Sequence, residues 1–273
     1  MGEILGAVGV GLLVGIVSAL TGIGGGVIMV PFLYIIYSGS AHTLTAQTVV
    51  AHATSLGVAL VSASIGTWRY HNSRAINWRA GLTYAFPAIV TAFVTARVMS
   101  GLEEGAWIRG AFGLMLIVAA ADMVRLGFTH DEDRAVVPPP VKPPLKLAAI
   151  GVFGGMFSSA LGIGGGLLAI PSLFYIGRLP VREIAPTSLM TVLLTTMSGV
   201  LGYVTASGAP PISGAMAGFV DLRMAVPLAL GAVLTVPLGV HLNRASRPVT
   251  LYWIFAVVLA VMGVRFAWKG FGP

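Results

Sequence analysis

Apolar residues run along this chain in ten blocks, separated by short polar or glycine-rich interruptions. In the first half the blocks fall at about 3–21, 25–37, 44–66, 78–99 and 106–126; in the second, at about 145–161, 165–177, 184–205, 222–242 and 249–268. Apolar runs of this length with few charges predict membrane-spanning helices. The first two blocks of each half are the short ones. At 1.5 Å per residue, 15–18 residues reach only about 22–27 Å, against a hydrocarbon core of ~30 Å. Each such pair therefore predicts either two marginal crossings or a re-entrant hairpin. Pro87, Pro227 and Pro237 fall inside blocks and predict kinks.

The block pattern occurs twice. Residues 11–31 read GLLVGIVSALTGIGGGVIMVP and residues 151–171 read GVFGGMFSSALGIGGGLLAIP, at a constant offset of 140. Downstream, Thr54-Ser55-Leu56 corresponds to Thr187-Ser188-Leu189, Gly66 and Tyr70 to Gly199 and Tyr203, and Asn77-Trp78-Arg79 to Asp221-Leu222-Arg223. Each half is one five-segment unit: residues 1–127 form the first repeat and 145–273 the second. The stretch 128–144, polar and then rich in proline, reads as an extended linker outside the membrane. The first apolar block recurs in the second half, and Met1-Gly2-Glu3 has no basic start, so the N-terminus is expected to be retained rather than cleaved.

Composition fixes the class. The chain has 273 residues, 56% hydrophobic and 9% charged, with a mean hydropathy of +0.92. A soluble domain carries about 25% charged residues. This is an all-α polytopic membrane protein with the lipid bilayer as its solvent. The net charge of +7 reflects loop topology, not nucleic-acid binding. Cysteine is absent, which excludes thiol chemistry.

An odd number of segments per unit predicts that the two units lie inverted with respect to each other. Loops numbered odd along the chain hold Arg69, Arg74, Arg79, Arg125, Arg134, Lys142, Lys146, Arg178, Arg182, Arg244 and Arg247, the majority of the 16 basic residues. Arg97, Arg109, Arg223, Arg265 and Lys269 are counted on the other side. The positive-inside rule puts the odd loops in the cytoplasm and both termini outside. Trp68, Trp78, Trp107, Trp253 and Trp268 near block ends predict an interfacial aromatic belt.

The candidate chemistry gathers at the two Gly-Ile-Gly-Gly-Gly runs. Each glycine costs a helix about 1 kcal/mol relative to alanine, so the runs predict breaks. A break that directs a helix N-terminus at a polar site offers free N–H groups and partial positive charge to an anion. Candidate substrate-binding positions are Gly22, Gly24, Gly25 and Gly26 and their counterparts Gly162, Gly164, Gly165 and Gly166. The neutral hydroxyls Ser18, Thr21, Ser158, Ser159, Thr54, Ser55, Thr187 and Ser188 join them, with His52, whose counterpart is Ala185. The alternative for each hydroxyl is a bond back to its own helix carbonyl. Gly11, Gly15, Gly151 and Gly155 read as helix-packing positions. No intramembrane carboxylate chain is present, which argues against a proton relay or a divalent-metal site, and no cofactor or metal is expected. No H-E-x-x-H, clustered carboxylates or Ser/His/Asp set suggests an enzyme.

The paired S-A-L-x-G-I-G-G-G-x-x-x-x-P and S-x-A-L-G-I-G-G-G-x-x-x-x-P runs, with T-S-L later in each half, resemble the TauE/SafE sulfite exporter family over nearly the whole chain. The resemblance implies movement of a small sulfur-containing anion such as sulfite, thiosulfate or an organosulfonate across the bacterial cytoplasmic membrane. It marks the glycine runs, Pro31 and Pro171 as signature positions. Thr21 stands where the second run has Leu161, so the two breaks need not be equivalent. The expectation is a secondary transporter with a small anionic substrate; the alternatives are an anion channel or, further off, a membrane enzyme. Oligomeric state is not legible.

Overall fold

The computed structural model describes residues 2–37, 44–100 and 145–271, with single helical positions between 113 and 128. Nine helices are defined there: α1 Gly2–Thr21, α2 Gly26–Tyr37, α3 Leu44–Asn72, α4 Trp78–Met99, α5 Leu145–Leu161, α6 Gly166–Tyr175, α7 Val181–Val204, α8 Leu222–Ala245 and α9 Pro248–Phe271. Between α7 and α8 a small antiparallel hairpin pairs β1 Met216–Ala217 with β2 Val220–Asp221. Most of the fifth block, the linker, Trp107 and Asp122 lie outside the described residues.

Helix starts follow local chemistry. Asn77 caps α4, its side-chain oxygen accepting from the Ala80 N–H at 3.1 Å. Asp221 caps α8 by accepting from the Arg223 N–H at 2.9 Å. Side-chain caps of this kind satisfy N–H groups that the helix itself leaves unpaired. Five helices, α1, α3, α4, α7 and α8, are long and apolar enough to cross a membrane. Large apolar side chains point away from the protein on several of them, with Phe86 77% exposed on α4 and Leu234 71% exposed on α8. A soluble protein would cover such surface; here it faces lipid.

The first segment is longer than the sequence reading allowed. With 20 residues α1 reaches about 30 Å, enough to span. It lies along α8 from end to end. Glu3 pairs with Arg223 at 2.9 Å where α8 begins, and Asn243 Nδ2 donates to the Leu20 carbonyl at 2.7 Å where α8 ends. The next helix, α2, has 12 residues, about 18 Å. It leads back, since Tyr37 donates its hydroxyl hydrogen to Asp221 at 2.9 Å, at the start of α8. So α1 and α2 form a hairpin that begins and ends at the same end of the bundle.

Small residues let these helices touch backbone to backbone. A Cβ on Gly11 would collide with the Leu228 carbonyl, and one on Gly15 with the Ala232 carbonyl, which seats α1 on α8. In the second half Gly151 and Gly155 meet the Tyr84 and Ala88 carbonyls, seating α5 on α4. This is the small-xxx-small packing expected of these four glycines. Thr235 Oγ1 donates to the Leu12 carbonyl at 2.6 Å, and Thr91 Oγ1 to the Val152 carbonyl at 2.8 Å. Tyr70 donates to the Ala19 carbonyl at 2.7 Å, and Tyr203 to that of Ser159 at 2.9 Å. Every one of these contacts in one half has its counterpart, with the halves exchanged. The contacts are thus reciprocal between the halves. The corresponding helices α3 and α7 cross antiparallel, with Leu56 beside Gly199 and Leu189 beside Gly66.

Single interhelical hydrogen bonds in lipid contribute about 0.6 kcal/mol on average, because the unfolded chain in the membrane also finds partners. Thr235→Val is therefore expected to lower the thermal midpoint in detergent only slightly, with Thr91→Val matching it within error. A large loss from either one alone would contradict the reciprocal packing.

Candidate functional site: the paired glycine breaks

Both glycine runs leave the helical path. Gly22, Gly24 and Gly25 have φ of +78°, +91° and +77°; Gly162, Gly164 and Gly165 have +66°, +84° and +79°. That left-handed backbone is open to glycine and strained for other residues, which is why the helix stops here and resumes at Gly26 and Gly166. The runs are buried and lie against each other. A Cβ on Gly26 would strike the Gly162 carbonyl, and one on Gly166 the Gly22 carbonyl. The two breaks therefore converge inside the protein.

The Thr-Ser pairs hold this arrangement across the halves. Ser55 Oγ donates to the Gly162 carbonyl at 2.5 Å, and Ser188 Oγ to the Gly22 carbonyl at 2.8 Å. Thr54 Oγ1 accepts from the Asp221 N–H at 2.9 Å, and Thr187 Oγ1 accepts from the Asn77 N–H at 3.0 Å. Each serine therefore clasps the other half's break, while each threonine receives the N–H of the residue that caps a fourth helix. Thr21 Oγ1 bonds back to Val17 O of its own helix at 2.7 Å, and Ser159 Oγ reaches the Ala92 carbonyl at 2.8 Å. In the second break Thr195 Oγ1 adds a bond to the Gly164 carbonyl at 3.0 Å.

Three buried hydroxyls, those of Ser18, Thr67 and Ser158, lack a hydrogen-bond partner among the described residues, and two of them form a matched pair. Ser18 and Ser158 occupy corresponding positions, are 0% and 1% exposed, and their Oγ atoms have no hydrogen-bond partner. Each lies beside its own break: a Cβ on Gly25 would sit 3.5 Å from Ser18 Cβ, and one on Gly165 3.3 Å from Ser158 Cβ. Leaving a buried hydroxyl unpaired costs about 1–3 kcal/mol. A symmetric pair of such groups, each beside a helix N-terminus, is what an exchangeable polar ligand would satisfy.

His52 is 3% exposed and its Nε2 lies 2.6 Å from the Tyr34 hydroxyl. Its backbone abuts Gly162, just as Ala185 abuts Gly22, so the two positions do the same packing work while only one carries an imidazole. The charge count placed Arg265 among loop residues. It sits instead within α9, half-buried, with Nη1 donating to the Val27 carbonyl at 3.2 Å. Val27 is the second residue of α2, and its carbonyl is free because the residue four positions on is Pro31, which has no N–H. Tyr34 is the electrostatic neighbour of the guanidinium. The signal that could have located this contact was Pro31: it orphans a carbonyl at the head of α2 and so calls for a donor. Among the described residues no group of three His, Asp or Glu is placed to hold a metal ion.

Membrane-length helices with two buried, broken hairpins at their centre define a polytopic α-helical membrane protein of the broken-helix type. The chain belongs to the sulfite exporter TauE/SafE family, whose model matches residues 7–266. It is 29% identical over 255 residues to a probable membrane transporter protein of Methanocaldococcus jannaschii, covering 93% of this chain and 92% of the relative. It is 23% identical over 280 residues to one of Bacillus subtilis (95% and 96%) and 26% identical over 263 residues to one of Haemophilus influenzae (95% and 96%). No solved structure matches. The family and these relatives are membrane transporters, not enzymes.

Proposed function

We propose that this protein is a secondary transporter that exports a small sulfur-containing anion, such as sulfite, thiosulfate or an organosulfonate, across the cytoplasmic membrane by alternating access. One observation carries the reading: Ser18 and Ser158 stand buried and unpartnered beside the N-terminal ends of α2 and α6. Neutral hydroxyls and helix N-termini bind oxyanion oxygens without the permanence of an ion pair. Arg265 supplies a full positive charge near the first break. The halves act as inverted repeats, a reading supported by the antiparallel crossing of α3 with α7, and both termini lie outside. The tight mutual packing of the breaks supports a carrier over an open channel. Export needs no coupling ion, since an inside-negative potential contributes about 2.3 kcal/mol per elementary charge per 100 mV to outward anion movement.

The test is flux from proteoliposomes loaded with sulfite under an imposed potential, with thiosulfate, sulfoacetate and taurine as competitors. Saturable release that follows the potential is the expected result. No flux of any of these from folded protein would remove the sulfur assignment. Ser18→Ala and Ser158→Ala give a sign test. Each removes an unpaired buried hydroxyl, so the thermal midpoint in detergent should hold or rise while sulfite flux falls. Flux at the parental rate would show that these hydroxyls do not meet the substrate.

A further inference from the structure

A cavity of about 270 Å³ opens at one end of the bundle, lined by Tyr70, Ala75, Arg182, Pro186, Asn243 and Arg244. It sits where α3 ends, α7 begins and α8 ends. Two guanidinium groups give the cavity its positive potential. Arg182 and Arg244 are both exposed, and among the described residues neither makes an ion pair. The first turn of α7, where Arg182 lies, brings the positive end of a 24-residue helix, which the C-terminal ends of α3 and α8 at the same place offset, so the charge of the cavity rests on the two arginines. Glu183, in the same turn, is held by the Asn77 amide at 3.3 Å and does not line the cavity. The inner wall ties the cavity to the first break. Tyr70 and Asn243 donate to the Ala19 and Leu20 carbonyls, the last turn of α1 before Gly22.

The opposite end of the bundle is built differently at matching positions. The residues that correspond to Arg182, Pro186, Asn243, Tyr70 and Ala75 are Val49, Ala53, Met99, Tyr203 and Phe219. All five belong to one apolar cluster, and the counterpart of Arg244 is the uncharged Ser100. The backbone bond from Phe219 N–H to the Tyr203 carbonyl has its counterpart in Ala75 and Tyr70, but here the β1–β2 hairpin brings an aromatic ring, with Phe219 packed 6.2 Å from the Tyr203 ring where the other end has only the Ala75 methyl. In place of the hairpin, the first half has only the short turn 73–77. The reciprocity holds at the breaks and fails at the mouths.

We propose that the Arg182–Arg244 cavity is a one-sided loading site for a small divalent oxyanion, filled before the anion reaches the breaks, and that the end carrying the hairpin has no equivalent. This deepens the transport reading above and rests on it. The divalent class follows from two guanidinium groups around a space of this volume, with no carboxylate in the lining.

The absence of native cysteine allows a clean test. Ala75→Cys places a single thiol in the cavity wall. Its reaction with a sulfonate-bearing methanethiosulfonate should outrun that with a trimethylammonium-bearing one by about tenfold, the low end of electrostatic focusing in a charged cleft. Inorganic sulfate should slow the labelling at millimolar concentration where chloride of equal ionic strength does not. In Ala75→Cys with Arg182→Gln and Arg244→Gln the charge preference should fall to near one, and Lys at both positions should restore most of it. Equal rates for the two reagents, or no protection by sulfate, would overturn the site. The readout does not use transport, so the two readings separate: flux without charge preference removes the loading site alone, while sulfate protection without sulfur flux removes the transport assignment and leaves an oxyanion site.

Discussion

Gly166→Ala is expected to lose most of the folded protein, and Gly26→Ala to behave alike. Each methyl would land on a backbone carbonyl of the facing run, Gly22 for position 166 and Gly162 for position 26. Both carbonyls are tied down as well, since Ser188 donates to that of Gly22 and Ser55 to that of Gly162. Forcing an extra carbon into a packed site costs about 1–3 kcal/mol where side chains can yield, and these are backbone contacts. A cost above about 3 kcal/mol exceeds what single interhelical hydrogen bonds in lipid contribute. Gly9→Ala is the internal control. Nothing lies within 4 Å of a Cβ there, and helix propensity favours alanine by up to about 1 kcal/mol. The monodisperse fraction surviving a heat step in detergent reads both effects. If Gly166→Ala survives as well as Gly9→Ala, the two runs do not touch.

Arg265→Gln is expected to keep the fold and lose at least tenfold in sulfite flux, with Arg265→Lys between the two. A hydrogen bond from a charged group contributes about 1.5–3 kcal/mol, which corresponds to one to two orders of magnitude. Stability should change little, because glutamine can still donate to the Val27 carbonyl and a charge in a spanning helix is itself costly. Unaltered flux in Arg265→Gln would reduce the guanidinium to a cap on the carbonyl that Pro31 leaves open. Parallel losses of flux and thermal midpoint would say the same.

Much of this architecture is legible in the chain because glycine and proline act locally. A run of four glycines in five residues stops a helix wherever it stands, and the two breaks fall at Gly22–Gly26 and Gly162–Gly166 as read. The repeat also shows that the Thr-Ser pairs matter. What it does not show is their target. Ser55 and Ser188 look from sequence like ligands waiting for a substrate, yet each is already bonded to the other half's glycine run. Contacts between halves depend on how two segments more than a hundred residues apart lie side by side, and periodicity within a segment says nothing of that. Arg265 was missed for a related reason. Counting charges by loop assumes that every arginine lies outside the hydrocarbon, and it fails for the one that a proline-orphaned carbonyl draws inward.

The exchange of contacts between halves also bears on how the protein is made. The α1–α2 hairpin leaves the ribosome first, but its seat is α8, more than two hundred residues later, and its break is clasped by Ser188. The early hairpin must wait in the bilayer, unclasped, until most of the chain has been translated. The second half is in the mirror position and is released with its partner α4 already in place. Cotranslational assembly is therefore lopsided even though the finished contacts are reciprocal, and the interval of greatest exposure to quality-control proteases falls between synthesis of α2 and insertion of α8.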